Sequence, residues 1–284
     1  MRISVIVPAY NEEAVIGRCL EALVNQRVPA EEIIVVDNNS ADGTAEVAAA
    51  FAEYGVRVVR EARQGAVHAR NRGFDEACGD VLGRIDADTM VGPEWVGRLA
   101  ASFDPDPATG ARPDAVTGPS WFYDIPLRRT GLAAHRFFCH RLNRMLSGHA
   151  MLWGSNMALS AECWRRVREH TCAVPGMWED LDLAVHLSRQ GMRVRYVDRL
   201  RVPVSARRIG ASVRDLYSYL RAWPFTYRLH GQRRAAWGAA VCLLIGLVLL
   251  RPCSLLVRAH TPYDGTLALR RLFRRSSAVS RPLP

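Results

Sequence analysis

The chain has 284 residues, 49% apolar and 23% charged, which suits one globular domain with an appendage and excludes a disordered or low-complexity protein. All 38 basic residues are Arg, and the net charge is +10. That charge is uneven. Residues 1–110 hold 10 Arg and 18 acids, whereas residues 199–284 hold 16 Arg and 2 acids. The basic end points to anionic lipid or nucleic acid as a partner, or to a plain solvated surface. Seven cysteines (19, 78, 139, 163, 172, 242 and 253) are scattered without a CxxC pair, as reduced small hydrophobes of a cytosolic protein would be. The start, MRISVIVPAY, reads as a strand and a Pro turn, so no signal peptide is expected.

In chain order, ISVIVPAYNEEAVIGRCLEALV predicts a strand, a Pro-containing loop and a helix. Asn11 is the expected N-cap, and Val15, Ile16, Cys19, Leu20 and Leu23 make an apolar stripe. EEIIVVDNNSADGTAEVAAAFAEYG repeats strand, polar loop and helix. VRVVR is a third strand, AVHARNRGFDEACGD a helix, and VLGRIDADTM a fourth strand. Next come a helix with Trp95, Leu99 and Phe103 at helical spacing, a Pro/Asp-rich loop over 104–114, and the strand DAVTGPSWFYD. Residues 127–146 predict an Arg-rich amphipathic helix; LWGSNMALSAECWRRV then gives strand and helix, and MWEDLDLAVHLSRQGMRVRYV a helix and strand. Strands alternating with such helices imply a parallel sheet covered on both faces, with ligands outside the carboxyl ends of the strands.

Asp86 and Asp88 close the fourth strand one residue apart, so something positive should balance them. A hard divalent cation prefers such oxygen ligands and joins one or two carboxylates to phosphates. A turn-capping role is the plainer alternative. Asp37 at the end of IIVV and the loop from Pro8 to Glu12 converge on the same crevice. Asp37 could also be only a turn-forming residue of DNNS.

The motifs VIVPAYNEE, VVDNNSADGT, ARNRG, DAD, GSNMAL and WEDLDLAVHLSRQG occur in this order over roughly residues 3–200, and together they resemble family 2 glycosyltransferases. The resemblance implies an α/β fold: a GT-A-type three-layer sandwich around a mostly parallel sheet. It implies that Asp88, with Asp86, binds Mn²⁺ or Mg²⁺, and that Asp86 also reaches the donor. Asp37 would hold the nucleobase, Pro8, Ala9 and Tyr10 wall its site, Glu12 reach the ribose, and Arg70 face the diphosphate, with Arg72 beside it. An ordinary solvated helix face is the alternative for both arginines. Asp180 matches the family's base, with Glu179 as fallback; first-turn acids complementing the helix dipole are the plain reading. Asp182, two residues on, should turn away from Asp180. Gly154, Ser155 and Asn156 would line the acceptor side. The implied reaction is inverting transfer from a nucleotide-sugar donor to a hydroxyl on a glycan or lipid-linked acceptor. A polyprenyl phosphate acceptor, or an inactive membrane scaffold of the same fold, is the alternative.

His135, Cys139 and His140 share the 127–146 segment, but a zinc reading lacks further ligands, and ordinary helix-face roles are favoured. The division expected is a catalytic domain over 1–215 and a helical membrane-associated tail over 216–284. Ala235–Leu250 is an uncharged run of 16 residues, short of the ~20 of a perpendicular span; extending it to Val257 crosses Arg251. Tyr, Trp and Phe interleave with Arg upstream, and Arg258, Arg270, Arg271, Arg274 and Arg275 follow. The tail is expected to meet the cytoplasmic face of the cell membrane, as a surface or re-entrant anchor or, as the alternative, a single-pass span, with lipid preferred to nucleic acid.

Overall fold

The computed structural model describes residues 1–123, 128–207 and 213–259. β1 (Ile3–Ala9), β2 (Glu32–Asp37) and β3 (Val56–Arg60) are short, mostly β-branched runs. They alternate with α1 (Glu13–Val24), α2 (Thr44–Ala49) and α3 (Ala66–Glu76), as the pattern predicts. β4 (Val81–Arg84) stops short of the two aspartates, which leaves them in a loop. α4 (Trp95–Ala101), β5 (Ala115–Thr117) and β6 (Ser120–Phe122) follow. The expected 127–146 helix is one helical run interrupted by a π-helical stretch: α5 (Arg128–His135), the π segment Arg136–Leu142 and α6 (Asn143–Ser147). β7 (Met157–Ser160), α7 (Ala161–Val167), α8 (Glu179–Arg189), β8 (Val194–Tyr196) and β9 (Val202–Val204) complete the body. Then come α9 (Val213–Leu220), α10 (Ala222–Leu229) and α11 (Arg233–Ala259).

The sheet order is β3-β2-β1-β4-β7-β5-β8, with β7 antiparallel to both its neighbours and every other pair parallel. β6 pairs with β9 in a separate parallel ribbon. Strand alternation splits the core into two layers. Val5, Val7, Ile33 and Val35 meet Ile16, Leu20 and Leu99, while Ile6, Ile34 and Val36 meet Ala69, Phe74 and Leu187. α3 lies close on the sheet because residue 73 is Gly: a Cβ there would stand 2.3 Å from Ile6 Cγ2. Strand order reverses between β1 and β4, so the loops after them flank a switch point where such folds bind ligands.

Two expectations change. Asn11 is not the cap of α1; the helix starts at Glu13, and Asn11 sits at φ +53. Its side-chain oxygen accepts from the Ala41 N–H at 2.8 Å, which ties the first loop to the second. Nor is the described part of the 216–284 segment a detached appendage. Trp223, Tyr227, Ala235, Ala236 and Ala239 form one buried cluster with Met151, Leu181 and Val185 of the body. Arg270, Arg271, Arg274 and Arg275 lie outside the described residues. Among the described residues, no helix is long and apolar enough to cross a membrane, which removes the single-pass reading for them.

Candidate active site

The loop after β4 carries Asp86 and Asp88, and two arginines supply the positive charge they require. Arg84, the last residue of β4, is buried and places Nη2 3.0 Å from Asp86 Oδ1 and Nη1 2.5 Å from Glu179 Oε1. Burial opposes its charge, but Glu179, Asp86 and Asp180 outweigh that and hold Arg84 protonated beyond its ordinary range. Arg207 places Nε 3.1 Å from Asp88 Oδ2 and donates through both terminal nitrogens to Glu12. Arg207 thus balances the charge of Asp88. With Asp88 buried and Asp86 partly exposed, the oxygen donors there fit Mn²⁺ or Mg²⁺.

Glu179 and Asp180 begin α8, and their environments push their acidities apart. Burial raises Glu179, yet Arg84 and Arg70 outweigh it and lower its pKa. Burial and the neighbouring Glu179 charge raise Asp180 to about 7, partly offset by Arg84 and two backbone donors. Those donors are Gly154 N–H to Oδ2 and Leu181 N–H to Oδ1, both at 2.8 Å. A carboxylate tuned near neutrality and fixed in orientation can accept a proton. A side chain at Gly154 would crowd this pair, because a Cβ there would lie 2.8 Å from Arg84 Nη1. Asp182 does turn away, towards His186 and His230.

Asp37 ends β2 opposite Ala9, buried, with Oδ1 accepting from Ser40 N–H at 3.3 Å; the turn-forming role is present. Pro8 and Tyr10 are partly exposed beside it, while Ala9 is buried. Glu12 is held by Arg207 and Thr44, whose hydroxyl accepts from its N–H at 2.8 Å. Arg70 stands elsewhere than expected. Its guanidinium is fully buried, donating to Asn71 Oδ1 at 2.7 and 3.0 Å and to the Glu179 carbonyl. It therefore anchors the start of α8 instead of facing the crevice. Arg72 is exposed and pairs with Glu76 at 2.7 Å, the ordinary helix-face outcome.

Ser155 is buried against Ser120, their oxygens 3.2 Å apart. Asn156 is also buried and accepts from Trp95 Nε1 at 3.1 Å while donating to the Leu200 and Pro119 carbonyls. Its amide is committed to the framework, so only Gly154 of that triplet touches the carboxylate pair. His135 and His140 meet edge to face at 5.1 Å while Cys139 packs against the cluster under α10, so these three do not converge. Sequence reading missed three contributors. Arg84 and Arg207 looked like ordinary basic residues. Asn38 was lost in the DNNS turn, yet it donates to the Glu61 and Arg63 carbonyls and accepts from Gly65 N–H at 2.8 Å.

The sequence that carries these loops matches a known family. Residues 4–164 fit the sequence profile of Glycosyl transferase family 2. The chain belongs to that family. It is 37% identical over 101 residues to glycosyltransferase AglE of Haloferax volcanii, covering 34% of this chain and 33% of that protein. It is 36% identical over 141 residues to uncharacterized glycosyltransferase YibD of Escherichia coli, covering 46% and 41%. The chain thus matches only a third to two-fifths of the length of these curated relatives. Among solved structures, the mannosyltransferase PcManGT of Pyrobaculum calidifontis, in complex with GDP-Man and Mn²⁺, superposes with TM-score 0.64 at 18% identity, covering 94% of this chain and 76% of that one. Glucosyl-3-phosphoglycerate synthase of Mycobacterium tuberculosis, in complex with phosphoglyceric acid, gives 0.59 at 22%, covering 80% and 79%. These likenesses establish the shared α/β fold of this family 2 chain, with its mostly parallel central sheet.

Proposed function

We propose that this family 2 chain is an inverting glycosyltransferase, moving a sugar from a nucleotide-diphosphate sugar to a hydroxyl of a glycan or lipid-linked acceptor. The observation that carries it is the pairing of Asp180, raised to about 7, with an ionised Glu179 locked on Arg84. Asp88 and Asp86 would hold a divalent cation, which would supply charge stabilisation for the departing diphosphate. Asp37 and the Pro8–Tyr10 wall hold the nucleobase, and Glu12 the ribose. Asp180 takes the proton of the attacking hydroxyl, and one such displacement inverts the anomeric centre. Gly154 borders the acceptor. A polyprenyl phosphate acceptor, already anionic, would need the base less, and an inactive scaffold would not need it at all. The tuned pair favours the hydroxyl reading. Solved neighbours support the donor class: PcManGT with GDP-Man and Mn²⁺, and Staphylococcus aureus TarS with UDP-GlcNAc.

We place the protein at the cytoplasmic membrane surface. Trp237, Val241, Leu244 and Ile245 point outward from α11, Trp237 75% exposed and Leu244 64%, within a basic segment. An apolar helix face flanked by Arg fits an anionic lipid surface.

A screen of UDP-, GDP- and dTDP-sugars with Mn²⁺, following donor hydrolysis and transfer, tests the activity. Asp88→Asn should lose most turnover while the circular dichroism and melting curve persist. Full wild-type activity in EDTA would refute the metal-dependent reading.

A further inference from the structure

On the far side of α8 from Asp180, four side chains from three separate stretches of chain meet around one point. Cys172 follows α7, Asp182 and His186 lie one turn apart on α8, and His230 ends α10. One ligand atom from each lies within 4.8 Å of all the others. Cys172 Sγ is 3.7 Å from His186 Nε2, which is 3.3 Å from Asp182 Oδ1; His230 Nε2 is 2.9 Å from the same oxygen. Ligands at the usual zinc distances, placed tetrahedrally, are separated by about 3.3 to 3.8 Å. Asp182 has 0% exposure, a buried carboxylate that needs positive charge. The two imidazoles stand nearly perpendicular, 87° apart, with both Nε2 atoms turned to it.

We infer that Cys172, Asp182, His186 and His230 form a tetrahedral zinc site that pins α8 to the end of α10. The donor set selects the metal. One thiolate and two imidazoles suit Zn²⁺, whereas the all-oxygen set at Asp86 and Asp88 suits Mn²⁺ or Mg²⁺. Thiolate and carboxylate together balance the two charges of the ion. Loading releases the Cys172 thiol proton to solvent as the metal–sulfur bond forms. The second oxygen of Asp182 already accepts from Cys172 N–H at 3.1 Å, which orients the carboxylate. Arg189 approaches the other side of His230, with Nη1 3.3 Å from Nδ1 and Nη2 2.8 Å from the carbonyl. A metal-bound His230 keeps its proton on Nδ1, so Arg189, which is exposed, retains the carbonyl and leaves the ring. With four protein ligands the site is closed and structural. It fixes the helix whose first turn carries Glu179 and Asp180. This inference stands independently of the proposed activity.

The test uses the full chain, purified without a His tag, in a Cys78→Ser background that removes an exposed thiol. Elemental analysis should find one zinc per chain. Replacement by Co²⁺ should give the visible bands of a tetrahedral site and a near-ultraviolet sulfur-to-cobalt charge-transfer band. Cys172→Ser should abolish the charge-transfer band, and His230→Gln should weaken Zn²⁺ binding at least about tenfold. Asp88→Asn should leave the cobalt spectrum unchanged, which separates this site from the proposed Mn²⁺ site. Should Cys172→Ser fail to fold, the parent spectrum alone decides. A chain without zinc that shows only six-coordinate cobalt, or a charge-transfer band that survives in folded Cys172→Ser, overturns the inference.

Discussion

Asp180 shows how one carboxylate acquires an acidity its neighbour lacks. Both acids start α8, but only Glu179 meets a guanidinium directly, so Glu179 stays ionised and its charge helps to raise Asp180. Asp180→Asn should therefore cost on the order of 10²–10⁴ in kcat, the usual worth of a general base, with donor affinity little changed. Only the ionised carboxylate accepts a proton, so kcat/KM should climb as pH rises through about 7, and the variant should lose that limb. Stability runs the other way. Between pH 3.8 and about 7 the native state holds a proton that the unfolded chain has lost, so Asp180 makes the fold less stable as pH rises through that window. Melting curves across pH should show a shallower decline in Asp180→Asn; an identical decline would count against the raised pKa. Arg84 is the complementary case. Arg84→Met would leave Glu179 and Asp86 without their buried partner, and urea unfolding should register a loss of roughly 3 kcal/mol or more.

At the scale of elements, the crevice is assembled by loops that restrain one another. The loop after β4 is fastened to β9 by Met90 N–H on the Pro203 carbonyl at 3.0 Å. Beyond β9, Arg207 returns to Glu12 and Asp88. On the proposed reading, Arg207 and a divalent cation would compete for Asp88. Arg207→Gln should consequently tighten Mn²⁺ binding measured without donor, by electron paramagnetic resonance titration. Unchanged or weaker binding would mean that Arg207 and the metal do not share Asp88. The polar spacing of DNNS, DAD and WEDLDL announced these loops, and Asp37, Asp86, Asp88 and Asp180 all reach the crevice end of the sheet. Arg70 illustrates the limit of that reading. A helix-borne Arg near a motif looks free to meet phosphate, and only its burial under Glu179 reveals an anchoring role.

For the whole molecule, the decisive element is α11. Its inner positions, Ala235, Ala236, Ala239 and Leu243, are buried against the body, while Trp237, Val241, Leu244 and Ile245 are exposed. Ending the chain near residue 215 would strip cover from Met151, Leu181 and Val185 and remove the Thr226 hydroxyl that accepts from Trp178 N–H at 2.9 Å. Such a truncation should lose stability as well as lipid contact. Surface substitutions separate the two effects. Trp237→Glu with Leu244→Glu should release the full chain from anionic vesicles in a flotation assay while leaving its melting temperature within a few degrees. Equal flotation of the double variant and the parent would refute the proposed lipid-facing role of α11. High salt should release the parent only partly, because screening weakens the Arg contribution and not apolar burial.

The sequence by itself determined the alternation of strands and helices, the loops that bear the acids, and the family whose motifs they spell. Those features are local: β-branched runs, helical stripes and turn residues carry their meaning within a few positions. Tertiary structure alone decided which charges meet. Arg84 with Glu179, Arg207 with Asp88, and Cys172 with His186 and His230 join positions 95, 119, 14 and 58 residues apart, and no periodicity encodes such pairings. It also decided that β7 runs antiparallel and that α11 is half core and half surface, since hydropathy records how apolar a helix is but not what lies against each face. The physical reason is the same throughout. Burial and charge balance are properties of packed neighbours, and neighbours are chosen by the fold.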